Sequence, residues 1–321
     1  MNAQPKISII TACYNSEKTI EQTIQSVLNQ TYENIEYIIV DGASTDGTME
    51  IVKKYHDRIS LVVSEKDSGV YDAFNKGVQY ACGDYILFLN SDDYLIENTV
   101  LKYVANQIEL RSNPIGVYGD IYIKNETTGF IRRLGQQIDL SNIKNGKMPP
   151  HPATFLQKSV ITEFEGFNLN YQIAADFELL TKIFMKYEKD IYHIPILVSV
   201  FRLGGLSSNI KTLQIVKEET KSIINEYLLH FDSNTNMHVN NSNENYLKLW
   251  IENIVFNKKS ISDPLKKLQI KNVVIFGSGE LAVLIAQDLI VNEFNVLSFL
   301  DNNSERQGIT MNGICVYSLI G

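Results

Sequence analysis

Five polar clusters in this chain hold residue types suited to group-transfer chemistry. Asp92 and Asp93 directly follow the apolar run Tyr85–Leu89, Asp41 ends the run Ile35–Val40, and Asp67 precedes Gly69 after Ile59–Val63. The loop Thr11–Asn15 closes a first apolar run, and Asp176 stands before a helical stripe, Phe177 to Tyr187. Adjacent carboxylates repel unless a cation or a donor compensates them. A divalent metal bridging phosphate oxygens is one such compensation, and a solvated turn with an N-capping Asp is the plain alternative. Three acids at strand ends suit a nucleotide, because a carboxylate accepts a hydrogen bond from a base or a ribose while metal offsets the diphosphate charge. The Thr11–Asn15 loop offers backbone donors and the Tyr14 ring for stacking. It has no glycine and no basic residue, which argues against a nucleotidyltransferase gripping a triphosphate.

The elements that must carry these residues alternate through the first 120 positions. Apolar β-branched runs at 7–11, 35–40, 59–63 and 85–89 predict buried strands. Stripes such as Ile20, Ile24, Val27 and Leu28, or Tyr71, Phe74, Val78 and Ala81, predict helices between them. Continuous apolar strands alternating with amphipathic helices predict an α/β fold, a doubly wound and mainly parallel sheet. Ligands in such sheets sit beyond the carboxyl ends of the strands, which is where the polar clusters fall. Further on, Val117–Ile123 reads as a strand continued by a hairpin over 127–133, Ile191–Arg202 as extended, and Leu213 to Leu228 as a long helix.

The last third changes character. Ser233–Asn245 is Asn-rich and polar, a linker composition, and a helix through Leu247, Ile251 and Ile254 follows it. Near Asn272 a βαβ pattern begins, with Gly277, Gly279 and Ala282 in GxGxxA spacing and Asp301 about 20 residues on, the fingerprint of dinucleotide binding. Only one βαβ unit and a short strand at Ile314–Tyr317 follow, whereas a complete dinucleotide site uses two halves. The expectation is a partial Rossmann-like module, with a nucleotide-sugar oxidoreductase or modifying enzyme as the competing function.

Composition excludes other classes. With 321 residues, 44% hydrophobic and 21% charged, the chain builds a full core without metal or disulfide staples. A formal net charge of -8 speaks against nucleic acid as the partner. Cys13, Cys82 and Cys315 are far apart and form no CxxC, which argues for a reducing compartment. No apolar run approaches the ~20 residues of a membrane span, and the N-terminus lacks a signal-peptide pattern, so a cytoplasmic location is expected.

Taken in order, ISIITACYN, VDGASTDGT, SEKDSGVYDAFNKGVQYACGDYILFLNSDD, AADFELL and FRLGGLSS resemble the family 2 glycosyltransferases with a GT-A fold, of the type that builds bacterial O-antigen and other surface polysaccharides. The resemblance covers about residues 5–210. It implies a glycosyltransferase domain, taken as 1–232, and the composition and spacing beyond it give a linker and helix over 233–268 and the partial module over 269–321. It implies that Thr11, Ala12, Tyr14 and Asn15 form the nucleotide-binding first loop and that Asp41 meets the uracil ring. Ser44 and Asp46 share that diagnostic loop. Asp67, Gly69, Asp72, Asn75 and Lys76 would line the donor site with Ser91. Asp92, with Asp93 beside it, would hold a divalent cation, Mn2+ or Mg2+. Asn90 stands where the wider family often has Asp, so the metal site is weaker in charge. Asp176 matches the catalytic base, although spacing alone reads it as an N-cap, and Ala175 replaces the Glu many relatives carry.

The implied reaction is an inverting transfer from a UDP-sugar. Asp176 would take the proton of the attacking acceptor hydroxyl, and the metal would stabilise the departing diphosphate. The implied partners are the UDP-sugar, a saccharide or lipid-linked saccharide acceptor, the inner membrane face as a peripheral contact, and a second copy of the chain. His151 in PPHPATF reads equally as an acceptor contact or as incidental. Arg202, Gly204 and Gly205 read equally as a flap over the diphosphate or as the turn ending a strand.

Overall fold

A computed structural model describes residues 4–126, 128–204, 212–228, 266, 269–276, 280–301, 307–308, 310–311 and 313–318. The chain divides into two compact units, Met1–Lys124 with Arg132–Ser233 and Asn125–Ile131 with Asn234–Gly321.

The strands of the large sheet are β1 (Ile7–Cys13), β2 (Ile35–Asp41), β3 (Leu61–Ser64), β4 (Tyr85–Phe88), β5 (Tyr94–Leu95), β6 (Gly116–Lys124), β7 (Ile131–Leu134), β8 (Thr154–Gln157) and β9 (Ile191–Arg202). Their order is β3-β2-β1-β4-β8-β6-β9-β5, with β7 pairing β6. The first four are mutually parallel, as the alternating pattern predicts. Beyond β4 the sheet is mixed: β8 runs antiparallel to both β4 and β6, β9 parallel to β6, and β5 antiparallel to β9.

Both faces of the sheet are covered. Helices α1 (Ile20–Leu28), α2 (Thr48–Lys53) and α4 (Val100–Leu110) contribute to a core with Ile7, Ile9, Ile39 and Leu87. Helices α3 (Val70–Tyr80), α5 (Leu140–Lys144), α6 (Lys158–Glu163), α7 (Ala175–Tyr187) and α8 (Leu213–Ile223) contribute to the other with Ile10, Val40, Ile86 and Phe88. Every residue of β1 is buried because adjacent side chains enter opposite cores, which is why its sequence is a continuous apolar run rather than an alternation. Helix α3 turns Tyr71, Phe74 and Val78 to the sheet at helical spacing.

Two boundaries differ from expectation. Helix α7 starts at Ala175 with Ala174 as its N-cap, so Asp176 lies inside the first turn and is not the cap. The long helix predicted from Leu213 ends at Ile223 and passes into a π-helical turn, Ile224–Leu228.

In the second unit, β10 (Asn272–Phe276), β11 (Asn295–Leu300), β12 (Thr310–Met311) and β13 (Ile314–Tyr317) form a sheet of order β10-β11-β13-β12. Helix α9 (Glu280–Val291) buries Ala282, Ala286 and Leu289 in a core with Ile275, Phe299 and Val316. This matches the predicted βαβ pattern, but Gly277 and Gly279 lie outside the described residues. The predicted linker and helix at 233–268 lie outside them too, apart from Lys266. Among the described residues no helix is long and apolar enough to cross a membrane.

Helix α3 approaches β1 closely at Gly77, where an added Cβ would stand 2.4 Å from Ile10 Cγ2. Alanine there gains helix propensity but overpacks a rigid core. Gly77→Ala is expected to lose about 1–3 kcal/mol of stability, read as a lower urea midpoint with an unchanged m-value.

Candidate active site

The register of the parallel strands builds the site. Cys13 pairs with Asp41, Asp41 with Ser64, and Ile10 with Phe88, so the strands end at one edge of the sheet. Beyond that edge lies a cavity of about 1230 Å³. Its wall includes Ala12, Tyr14, Asn15, Asp46, Asp67, Gly69, Tyr71, Asn90, Ser91, Asp92, His151 and Asp176. The first loop, the acidic tips after β3 and β4, and the start of α7 therefore share one space.

Several expected site residues stand behind that wall. Thr11 is buried and shares a hydrogen bond with Tyr37 Oη at 3.3 Å. Asp41 is fully buried, and its carboxylate accepts hydrogen bonds from Ser44 N, Ser44 Oγ and, at 2.7 Å, Ser64 Oγ. Its oxygens are turned into the loop, toward Ser44 and Ser64. Ser44 in turn accepts from Asn15 N at 2.8 Å, so Asp41 and Ser44 set the shape of the first loop from below. Asn75 takes both polar groups of Phe167, donating to its carbonyl and accepting from its N–H at 2.8 Å each. Lys76 is engaged by Glu65 at 2.9 Å and Asp72 at 3.6 Å, and neither Asn75 nor Lys76 lines the cavity. Gly69 opens α3 at φ 121°, a conformation only glycine adopts readily, with its N–H donated to Asp67 Oδ1.

The two acids after β4 differ in their surroundings. Asp92 faces the cavity, and burial pushes its carboxyl above the usual range while Arg202 pulls it back. Asp93 is fully buried; burial, then the charge of Asp92, pushes it well up. Its Oδ1 accepts from Arg202 N at 3.1 Å, and its Oδ2 has no partner. Asp93 is not part of the cavity wall, whereas Asp92 is. Among the described residues no group of three His, Cys, Asp or Glu gathers as a metal cage.

Arg202 is not a free flap. Its guanidinium donates to the Asp92 carbonyl at 2.5 Å and to Gln22 Oε1, and lies 4.7 Å over the Tyr94 ring. Thr23 of α1 donates to the carbonyls of Ser91 and Asp93, and Ser91 Oγ meets Ser16 Oγ at 2.8 Å. The acidic loop is therefore fixed to the first loop and to β9. Gly205 lies outside the described residues.

Asp176 has one oxygen committed and one free. Oδ1 accepts from Tyr71 Oη at 3.1 Å and from Phe177 N at 2.8 Å, while Oδ2 has no hydrogen bond, and the residue lines the cavity. His151 packs against Phe88 with rings nearly parallel at 5.5 Å, and against Phe74 and Phe167. Its Nε2 is sealed without a partner, and burial holds its pKa below the ordinary value, with the charge of Asp176 opposing. The sequence stripe marked Tyr71 only as core. Nothing in the sequence marked its hydroxyl as a clamp, nor Glu219 of α8, whose carboxylate grips the turn before Asp176.

Residues 8–184 match the family model for glycosyl transferase family 2. The chain is 30% identical over 219 residues to a PGL/p-HBAD biosynthesis glycosyltransferase of Mycobacterium bovis, which covers 67% of this chain and 84% of that protein. This chain belongs to glycosyl transferase family 2 and is a glycosyltransferase. Its fold is similar to that of S. aureus TarS 1-349, at a TM-score of 0.53 and 22% identity, covering 77% of this chain and 78% of that one. A crystal structure of TarS 1-349 in complex with UDP-GlcNAc matches at a TM-score of 0.54 and 21% identity, covering 70% and 71%. The GT-A fold is thus shared.

Because the folded state resists protonating His151 while the unfolded chain does not, stability is full above pH ~6.5 and falls as pH drops below it. Relative to His151→Phe, the wild type is expected to lose thermal stability steadily from pH 7 to pH 5. Parallel melting curves for the two proteins across that range check it.

Proposed function

We propose that the chain moves a hexose or N-acetylhexosamine from a UDP-sugar to a saccharide acceptor, lipid-linked in bacterial surface polysaccharide synthesis, with inversion at the anomeric carbon. The observation that carries this is the shared cavity: Asp176 lines the same space as the first loop and Asp92. TarS 1-349 binds UDP-GlcNAc, which supports UDP as the nucleotide. A lipid-linked acceptor would bring the chain to the cytoplasmic face of the inner membrane as a peripheral protein.

The cavity wall divides the work. Tyr14, exposed at the rim, offers its ring to the base, and the backbone around Ala12 and Asn15 offers hydrogen bonds. Asp67, Gly69 and Ser91 border the diphosphate and sugar, while Thr11, Asp41, Ser44, Asn75 and Lys76 support this wall from behind. Asp176 Oδ2 takes the proton of the acceptor hydroxyl as its oxygen bonds to the anomeric carbon. The bond from that carbon to phosphate oxygen breaks, and UDP leaves with the electron pair. Tyr71 and Phe177 N hold Oδ1, fixing the carboxylate for the attack. His151, neutral in its aromatic box, borders the acceptor side.

A divalent cation fits this donor set in a limited way. Asp92 and Asn90, one charged and one neutral, line the cavity, and the remaining ligands of such an ion would come from substrate phosphates and water. Held there, Mn2+ or Mg2+ would offset the charge of the departing diphosphate.

Incubation with UDP-glucose, UDP-galactose and their N-acetyl forms plus manganese is expected to release UDP from one of them, and chelation is expected to stop it. Asp176→Asn is expected to lower that release by about 10²–10⁴-fold while UDP affinity by calorimetry stays within a few fold. Full turnover in Asp176→Asn removes the base assignment.

A further inference from the structure

We infer that Glu219 of α8 is a positioning residue for Asp176, setting the direction in which the base points; this rests on the reading of Asp176 as base. The turn entering α7 has no cap of its own. Ala174 holds the N-cap position and has no side-chain oxygen to offer the orphan N–H groups there. Ile173 and Ala174 are buried, so water does not stand in for the missing cap.

Glu219 holds the turn leading into the helix from another element. Its carboxylate accepts from the N–H groups of Gln172 at 2.7 Å, Ile173 at 2.9 Å and Ala174 at 2.9 Å. These are charge-assisted bonds to three successive peptides, which fix the rotation of the turn as well as its place. On the other side of the same turn, Tyr71 Oη donates to the Ile173 carbonyl and to Asp176 Oδ1. The turn is thus clamped between α8 and α3, two residues ahead of the base.

Helix α8 also belongs to the substrate space. Val216 and Thr220, at helical spacing with Glu219, line the cavity that Asp176 faces. Just past α8, Tyr227 Oη donates to Glu178 Oε1 at 2.9 Å, a second tie to α7. Apolar packing of α8 on α7 would place the helix, but only the carboxylate fixes the three N–H vectors from which Asp176 projects.

The test measures UDP release from the four UDP-sugars above, with Glu219→Gln and Glu219→Asp beside wild type and Asp176→Asn. Gln keeps one acceptor oxygen and turns an NH₂ group on the remaining donors, whereas Asp keeps the charge and falls short by one methylene. The expected result is a kcat lower by about 10–100-fold, as a misplaced reacting group gives. Donor KM and UDP affinity should stay within twofold, and the residual release of Asp176→Asn should be unchanged when Glu219→Gln is added. A merely structural role would lower the melting temperature and leave kcat per folded molecule intact. If Glu219→Gln does not fold, Glu219→Asp carries the same measurement. Wild-type kcat in the folded variants, or a full further loss on the Asp176→Asn background, overturns the inference. Full turnover in Asp176→Asn itself would instead overturn the reading of the base on which it rests.

Discussion

The in-register parallel pairing of β1 with β2 and β4 is the constraint on which the site depends. Parallel strands all present their carboxyl ends to one edge, and each must be followed by a loop that turns back into a helix. Asp41, Asp67 and Asp92 are far apart in the chain and meet because three such loops open at the same edge. The strands can hold that pairing because both faces of the sheet are sealed by helices, which removes water from competing for their hydrogen bonds.

The acids at this edge divide into two kinds. Asp67, Asp92 and Asp176 keep an approach to the cavity. Asp41, Asp93 and Glu219 spend their oxygens on the protein: on the serines of the first loop, on the β9 backbone and on the turn before α7. A buried carboxylate is costly unless it accepts several hydrogen bonds, and that requirement makes it effective at fixing a loop. Asp93 is the exception, with one oxygen unpartnered and its carboxyl pushed up by burial and by Asp92. Arg202 relieves this strain in part while stapling the same loop to β9. A residue that reads in sequence equally as part of a flap or of a strand-ending turn is thereby a structural tie.

Among the described residues the second unit holds the parallel strands β10, β11 and β13, the antiparallel β12, and helix α9, whose buried residues join Ile275, Phe299 and Val316 in one core. Its opposite sheet face leaves Val274, Phe276, Leu297 and Tyr317 exposed. Family membership rests on residues 8–184 and is carried by the first unit, to which the cavity also belongs.

The sequence alone determined the first four strands and their helices, because continuous Ile/Val runs and 3.6-residue stripes record burial directly. It also determined which loops carry polar groups, since an acid after a buried strand leaves the pattern at an unmistakable point. The βαβ pattern near Asn272 was legible for the same reason. What only the tertiary structure decided was the direction of each side chain: Asp41 and Asp92 end similar strands, yet one faces protein and the other the cavity. It alone also decided that Asp176 sits inside α7 rather than capping it, and that Tyr71 and Glu219 clamp the turn before it. Those partners lie 105 and 43 positions away. Periodicity reports which face of an element is buried, but a hydrogen bond between distant elements leaves no trace in local spacing.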